Sequence, residues 1–303
     1  MMINRSYRRS GISVLDVFVS IIVNSILLAL ALPAVNSFRE SSRRTTCRNN
    51  MRQLSAALQQ YLVTFGRFPS TGYRGPSQAY LLPYLEQENV YETYVVSPDP
   101  WTQEEADNFP RIPVFQCPSD LNSGRVQGIS YGENRGYCNE PAGRALMNPW
   151  PKYNGVFEYV GSNVVVRPAS VRDGLSNTCV YAEICSTPRN GWSIYSTNGH
   201  DFVRCGAVTD LAAHCRITAT SPGNFAWGRG SSWLGKSEQI TGYMHVLPPN
   251  EKDCVFQPAA GSDHFGGVNT SLCDGSVRWI DNSVSDTVWQ ALGTIGSSDI
   301  SSE

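Results

Sequence analysis

The chain has 303 residues, of which 41% are hydrophobic and 17% charged, and its formal net charge is −2. That length can bury a sizeable core in one large domain or two smaller ones. The near-zero net charge argues against a general nucleic-acid binder. It conceals an asymmetry, because residues 1–52 carry a net charge of +6 and the remainder carries −8. A basic N-terminal end on an acidic body indicates a membrane or tail function for that end.

An apolar segment covers residues 12–35, in which 18 of 24 residues are apolar. As a helix rising about 1.5 Å per residue, it would cross a bilayer core of about 30 Å. A cleaved secretory signal has a shorter apolar run, so the segment predicts a single membrane span. Asp16 would place a costly carboxylate in the bilayer, which favours a functional role. Pro33 would bend or weaken the helix near its far end.

The residues at the start of this segment resemble the cleavage site of type IV prepilins and type II secretion pseudopilins. A basic leader, residues 1–11, ends at Gly11, and Asp16 is the fifth residue if Ile12 is counted as the first. Pro33 is then the twenty-second, where many such proteins also have proline. The resemblance implies cleavage after Gly11 by a prepilin peptidase and methylation of Ile12. The family usually has Phe in place of Ile12 and Glu in place of Asp16.

The same resemblance implies partners and a location. The subunit would associate with itself or with related pilin-like subunits through residues 12–35, in the lipid bilayer. Asp16 and Pro33 are the expected register positions for assembly, and Asp16 would pair with the α-amino group of a neighbour, because a buried carboxylate needs a cation. The expected location is the bacterial inner membrane, with one span and a periplasmic body. The arginines after the span favour a cytoplasmic body by the positive-inside rule, but long domains translocate largely regardless of such charge.

Residues 36–66 are predicted to continue the helix with an amphipathic pattern. Its apolar positions recur every three or four residues and should face a globular domain. They are Cys47, Met51, Leu54, Leu58, Tyr61, Leu62 and Phe65. Gly66 and Pro69 predict the end of the helix. The opposite, arginine-rich face is interpreted as a subunit or lipid contact rather than a nucleic-acid groove.

The remaining residues, 67–303, are predicted to form a globular domain of short β-segments separated by Gly, Pro, Asn and Ser. Strands are predicted at residues 155–160, 163–167, 178–184 and 239–246. Asp274-Gly275 between two alternating runs predicts a β-hairpin, and residues 285–292 predict a last helix. The predicted fold class is α+β, with a long N-terminal helix packed on a loop-rich, mainly antiparallel β domain.

Several segments resemble a family of prepilin-like proteins whose C-terminal domain has no assigned function. The matching segments are residues 43–50 with Cys47, residues 81–87, Cys117-Pro118-Ser119-Asp120, Asp173-Gly174 with Asn177 and Glu183, and His264 followed after nine residues by Asp274-Gly275. The last spacing is the H-x9-DG signature that names the family. The matches spread over nearly the whole chain and together imply membership.

The sequence offers few candidates for chemistry. His264 and Asp274 form a possible catalytic or metal pair, but a structural role is favoured because no third catalytic group accompanies them. Calcium ligands are conceivable among Asp173, Asn177, Asp263 and Asp274, without a recognisable ligand spacing. Residues 128–132 match the G-x-S-x-G nucleophile elbow but lack the strand and helix that it needs. We therefore predict no catalytic residue, no cofactor and no enzyme.

The nine cysteines include no C-x-x-C pair. A zinc set of His200, Cys205, His214 and Cys215 comes closest, but adjacent His and Cys seldom point at one metal. An exported body favours disulfides, whereas nine cysteines would equally suit a reduced cytosolic body. The sequence leaves the pairing open.

The predicted function is that of a membrane-anchored, pilin-like or pseudopilin-like structural subunit of a pilus-like or secretion-associated filament. The alternative is a membrane-anchored surface protein that does not polymerise and binds a glycan or an envelope partner. A third hypothesis, an anchored hydrolase, has the least support.

Overall fold

The computed structural model describes residues 13–71, 75–96, 109–120, 127–137, 154–157, 165–185, 211–218, 230, 232–234, 241–251 and 259–296. Within these residues the helices are α1 (Val14–Phe65), α2 (Ser77–Tyr80), α3 (Glu88–Val96), α4 (Leu211–Thr218) and α5 (Asp286–Gly293). The strands are β1 (Tyr131–Asn134), β2 (Cys179–Glu183), β3 (Gly242–Tyr243), β4 (Gly267–Leu272) and β5 (Val277–Asp281). Short 3-10 helices cover Leu82–Leu85, Pro113–Phe115 and Pro168–Ser170.

The five strands form one sheet in the order β3-β1-β2-β4-β5. β1 pairs with β3 in parallel, and the other three pairs are antiparallel. With the long N-terminal helix, this mainly antiparallel sheet confirms the predicted α+β class.

Helix α1 is a single element of 52 residues that contains Pro33 without ending there. It ends as predicted, because Gly66 has φ of +67° and donates its N–H to the carbonyl of Leu62 at 2.8 Å. Glycine is the residue that takes this left-handed cap conformation without a steric cost. The chain divides into two compact units after Ser42, inside this helix.

The predicted apolar stripe of α1 is buried at six of its seven positions, from Cys47 to Leu62. Phe65 is the exception, because its side chain is 53% exposed. Phe65 occupies the last turn, where its ring packs on Tyr61 with 4.5 Å between centroids instead of entering the core. The second half of α1 is therefore a core helix of the body.

The sheet is covered by side chains on both faces. Tyr181 of β2 belongs to the core cluster that holds Leu54 and Leu58 of α1. The next residue, Ala182, belongs to a second cluster, which contains Trp289 of α5. Since side chains alternate across a strand, β2 is buried at all five positions.

The strand predictions have mixed outcomes. The prediction at 178–184 is confirmed as β2, and residues 239–246 contain the short strand β3. Residues 155–157 form a bend and 165–167 are irregular, so the described parts of the other two predicted strands are wrong. The backbone at Gly155 packs directly against the backbone at Gly136. A β-carbon on Gly155 would lie only 2.3 Å from the Gly136 nitrogen. The chain at 165–167 turns directly into the 3-10 helix Pro168–Ser170.

The C-terminal predictions are confirmed. Strands β4 and β5 form a hairpin in which Gly267 pairs with Asp281 and Ser271 with Val277. The last helix begins after Ser285, whose hydroxyl accepts a hydrogen bond from the Val288 N–H at 3.4 Å. A serine N-cap of this kind satisfies one of the unpaired N–H groups of the first turn.

Candidate functional site

Polar side chains in the first half of α1 donate hydrogen bonds to backbone carbonyls of the same helix. Ser20 donates to the carbonyl of Asp16, Asn24 to that of Ser20, and Ser25 to that of Ile21, each at 2.8 Å. These bonds run back one helical turn and give a partner to both serine hydroxyl donors and to one N–H of the Asn24 amide. Internal hydrogen bonds of this kind lower the cost of placing polar side chains in a hydrocarbon environment.

Asp16 lies in the first turn of α1 and is the one charged residue between Gly11 and Phe38. Its carboxylate accepts a hydrogen bond from the Ser13 N–H at 3.0 Å. The N-terminal end of a helix dipole favours a negative charge at this position. Gly11 and Ile12, the predicted cleavage and methylation positions, lie outside the described residues.

The apolar side chains of this half are exposed. Leu28 and Phe38 keep 62% and 76% of their surface, and none of the most apolar 18-residue window is buried. By length and composition, α1 qualifies as a membrane-spanning helix. Exposed apolar surface of this extent marks a lipid or protein contact rather than a solvent-facing helix. These features fit a single-pass membrane anchor.

A second candidate site lies in the body and joins four segments. Cys47 of α1 forms a disulfide with Cys117, 70 residues further along the chain. His264, in the loop before β4, places Nε2 3.4 Å from Cys117 Sγ. The same nitrogen lies 3.5 Å from Oε1 of Glu183, the last residue of β2. We refer to Cys47, Cys117, Glu183 and His264 as the motif cluster, since each belongs to a segment that carries the family resemblance.

The segment containing Cys117 is held in place by the residues that begin β1. The Cys117 N–H donates to Ser130 Oγ at 3.0 Å, and that hydroxyl donates to Asp120 at 2.7 Å. Tyr131 donates from its hydroxyl to the carbonyl of Cys47 at 3.1 Å. Ser130 therefore supports the motif cluster.

The strand β1 follows Ser130 rather than precedes it, which is not the arrangement of a nucleophile elbow.

Glu183 is a buried carboxylate held by β4. Its two oxygens accept hydrogen bonds from Asn269, one from the backbone N–H at 2.8 Å and one from the side-chain amide at 2.9 Å. Burial raises the pKa of Glu183, while His264 and the Asn269 donors act in the opposite direction. The carboxylate is thus fixed in orientation and directed at His264.

The spacing between His264 and Asp274-Gly275 has a geometric explanation. His264 lies at the disulfide of α1, and Asp274-Gly275 form the hairpin turn, where Gly275 has φ of +87°. Next to that turn, Gln59 of α1 donates from its side chain to the Cys273 carbonyl at 3.0 Å. Cys47 and Gln59 are twelve residues apart, which is about 18 Å along a helix. The six residues of β4 span about 20 Å, which is close to the distance between Cys47 and Gln59 along α1. The spacing between His264 and Asp274 therefore gives β4 the length that it needs to reach both contacts.

One arginine of the motif segment also contacts the hairpin. The Arg44 guanidinium carbon lies 3.4 Å above the ring centroid of Trp279 in β5. Trp279 is paired across the hairpin with Asn269, which holds Glu183. This cation–π contact corrects the interpretation of the arginine face at Arg44, since that side chain binds the body of its own chain.

The residues Asp173, Gly174 and Asn177 build a turn before β2. The Asn177 amide donates to the Asp173 carbonyl at 3.0 Å, and Gly174 has φ of +94°. Thr294, after α5, donates from its hydroxyl to the Asp173 carboxylate at 3.1 Å. The turn therefore fastens the start of β2 to the end of α5.

The acidic metal candidates from the sequence do not come together within the described residues. Within the described part of the chain, the motif cluster is the one group of three or more Cys, His, Asp or Glu residues close enough to share an ion. Asp173, Asp263 and Asp274 are not in such a group, and Asp274 accepts the Ser276 N–H at 2.8 Å in the hairpin turn. His200 and Cys205 lie outside the described residues, and Cys215 is disulfide-bonded.

Fold and sites together describe an α+β protein with one N-terminal helix that is a candidate membrane span. A family model matches residues 36–287 and carries the description "Protein of unknown function (DUF1559)", SBP_bac_10. The chain belongs to this family. The matched range contains every residue of the motif cluster. No curated protein and no solved structure matches the chain.

Proposed function

We propose that the protein is a pilin-like or pseudopilin-like structural subunit, anchored in the bacterial inner membrane with its body on the periplasmic side. It is cleaved after Gly11 by a prepilin peptidase and methylated at Ile12. It assembles through residues 12–35 with copies of itself or with related pilin-like subunits. Its role is structural rather than catalytic: the helix builds a pilus-like or secretion-associated filament and the body is displayed outside.

The observation that carries this proposal is the exposed apolar first half of α1, which contains one carboxylate. A lone membrane anchor needs no charge, and a carboxylate near the end of the span carries a cost whose upper bound is about 2.5–3.5 kcal/mol, the insertion cost at the bilayer centre. That cost is offset if the carboxylate of Asp16 pairs with the cationic α-amino group of a neighbouring subunit. Helix packing in the membrane then supplies the remaining contacts.

A photo-cross-linking experiment in native membranes tests the proposal. A benzoylphenylalanine in place of Leu28, whose side chain is 62% exposed, reports helix–helix contact between subunits. The expected product is a ladder of covalent multimers. In the Asp16→Ala background the ladder should fall at least tenfold while the membrane-bound fraction stays unchanged, because insertion depends on the apolar residues.

Two controls complete the experiment. Asp16→Glu keeps the charge and restores the residue usual in prepilins, so its ladder should equal that of the wild type. The same cross-linker at Val63, an exposed position outside the proposed span, should give far fewer multimers. A normal ladder from Asp16→Ala would contradict the role of Asp16. If the otherwise wild-type protein with the cross-linker at position 28 stays monomeric, the result would favour the alternative, an anchored binding protein that does not polymerise.

A further inference from the structure

The motif cluster contains more ionisable groups than a structural disulfide requires. A disulfide between α1 and the body needs neither an imidazole nor a carboxylate beside it. Here Cys47, Cys117, Glu183 and His264 are all buried, and one potential ligand atom from each lies within 4.8 Å of all the others. A buried His and a buried Glu must be paired or bind a cation, and here they face each other at 3.5 Å beside the two sulfurs.

We propose that, when the Cys47–Cys117 disulfide is reduced, the motif cluster binds one Zn²⁺ ion. The ligands are the two cysteine sulfurs, Nε2 of His264 and the carboxylate of Glu183. Thiolate, imidazole and carboxylate are the donors that zinc takes in four-coordinate protein sites. Calcium and magnesium, which take oxygen ligands, do not suit this set.

The distances in the cluster support a common centre. Bonds of about 2.0–2.3 Å to a tetrahedral zinc ion separate neighbouring ligand atoms by about 3.3–3.8 Å. His264 Nε2 lies 3.4 Å from Cys117 Sγ and 3.5 Å from Glu183 Oε1, within that range. The two sulfurs share a bond of 2.05 Å and are therefore too close, while the four ligand atoms otherwise lie within 4.8 Å of one another. Breaking that bond is the chemical change that the site requires, and a contraction of about 1 Å by the more distant ligand atoms completes the tetrahedron.

The surroundings already orient the ligands. Asn269 donates two hydrogen bonds to Glu183, and the backbone N–H of His264 donates to the Ser262 hydroxyl at 3.2 Å. A small cavity beside the cluster is lined by Cys117, Asp120, Glu183 and Ser262 among others. Hydrogen bonds of this kind to ligand residues support affinity for a metal ion.

The chemistry balances as follows. A dithiol reductant attacks the Cys47–Cys117 bond by thiol–disulfide exchange and is itself oxidised to a disulfide, which leaves two thiols on the protein. Zn²⁺ then binds the two sulfurs as thiolates and releases one proton from each. Oxidation removes the two sulfur ligands, so the disulfide and the zinc site are alternative states of one pair of cysteines.

The test uses the full chain in detergent, stripped of metal and prepared in oxidised and reduced forms. Reduction with a water-soluble phosphine, which takes up oxygen from water as it becomes a phosphine oxide, leaves no competing thiol. After addition of Zn²⁺ and gel filtration, elemental analysis should find one zinc more per reduced chain than per oxidised chain. With Co²⁺ as the probe, the reduced chain should show the visible absorption of a tetrahedral ion and a thiolate charge-transfer band.

Variants assign the ion to this cluster. His264→Ala and Asn269→Ala should each weaken metal binding at least tenfold, the first by removing a ligand and the second by releasing Glu183. Cys179→Ala, which removes a buried free thiol outside the cluster, should bind like the wild type. Circular dichroism of the oxidised variants verifies that they fold.

Three results would overturn the proposal. The first is the absence of a tetrahedral cobalt spectrum from the reduced wild-type chain. This measurement needs no variant. The second is equal zinc binding by the oxidised and reduced chains. The third is loss of binding in Cys179→Ala together with retention in His264→Ala, which would place the ion at other thiols.

Discussion

The two halves of helix α1 share one continuous helical backbone but differ in how far their apolar side chains are buried. Residues 14–42 expose apolar side chains such as Leu28, whereas the apolar stripe of the second half is buried from Cys47 to Leu62, and Leu54 has no exposed surface at all. The second half is joined to the body by the Cys47–Cys117 disulfide and by Gln59 at the hairpin turn. One helix thus serves two kinds of contact: its first half is available to lipid or other subunits, and its second half belongs to the core. Substitutions in the two halves should therefore change different properties.

The largest effect is expected from removing the disulfide. The double variant Cys47→Ala/Cys117→Ala opens a loop of 70 residues, which lowers the free energy of unfolding of the body by about 4 kcal/mol on the chain-entropy model. Urea unfolding monitored by tryptophan fluorescence under non-oxidising conditions measures it. Ser25→Ala, in the first half of α1, is the control and should leave the midpoint unchanged. A loss below 1 kcal/mol would show that the disulfide does not hold the second half to the body.

A matched pair of leucines separates the two halves most cleanly. Leu54→Ala leaves a cavity in the core and should cost about 3 kcal/mol of body stability, within the range for buried leucines. Leu28→Ala removes the same atoms from an exposed position and should leave body stability unchanged. The Leu28 variant should instead weaken cross-linking between subunits. Equal losses of body stability from both variants would refute the division of α1.

The smallest of these effects is a dependence on pH that belongs to the body. His245 donates from Nδ1 to the Trp289 carbonyl at 2.7 Å, and burial lowers its pKa from 6.5 to about 3. A group whose folded pKa is depressed contributes stability above its unfolded pKa, and that stability is lost as the pH falls. Acidification from pH 7 to pH 5 should therefore cost about 2 kcal/mol through this residue.

The comparison for this prediction is between the wild type and His245→Gln. The raised pKa of Glu183 acts in the opposite direction, because a folded state that holds a proton more tightly gains stability as the pH falls. Both proteins share that effect, so the difference between their pH profiles isolates His245. The first half of α1 contains no histidine, and its helicity in detergent should not change between pH 7 and pH 5. Identical profiles for the two proteins would contradict the assignment.

Much of the fold follows from local signals in the sequence. The apolar stripe of α1, the Gly66 cap and the Asp274-Gly275 hairpin each depend on neighbouring residues, and the structure confirms them. Strand β1 was missed because it does not follow the alternating pattern of a half-exposed strand. Its four residues are buried although Glu133 and Asn134 are polar.

The polar residues of β1 are tolerated because distant segments satisfy them. Glu133 forms an ion pair with Arg135 at 2.6 Å and accepts a hydrogen bond from the Ser77 N–H. Asn134 donates to the Cys179 carbonyl at 2.7 Å and to the Gly293 carbonyl at 2.9 Å. A buried polar group is acceptable when it is fully hydrogen-bonded, and such long-range partners leave no periodic signal.

The motif cluster was beyond prediction for the same reason. Its residues come from α1, the segment after Pro113–Phe115, β2 and the loop before β4, and no spacing in the chain indicates that they meet. The resemblance pointed to each segment separately and left the cysteine pairing open. Only the sheet order, which places β4 beside β2, brings His264 to Glu183.

The most direct test of the central claim is the intact mass and N-terminal sequence of the protein purified from its native membrane. The account predicts a chain that begins at N-methylated Ile12, which would establish processing by a prepilin peptidase. A mature chain that still begins at Met1 would contradict the account, and the protein would then be an anchored domain that does not enter a filament.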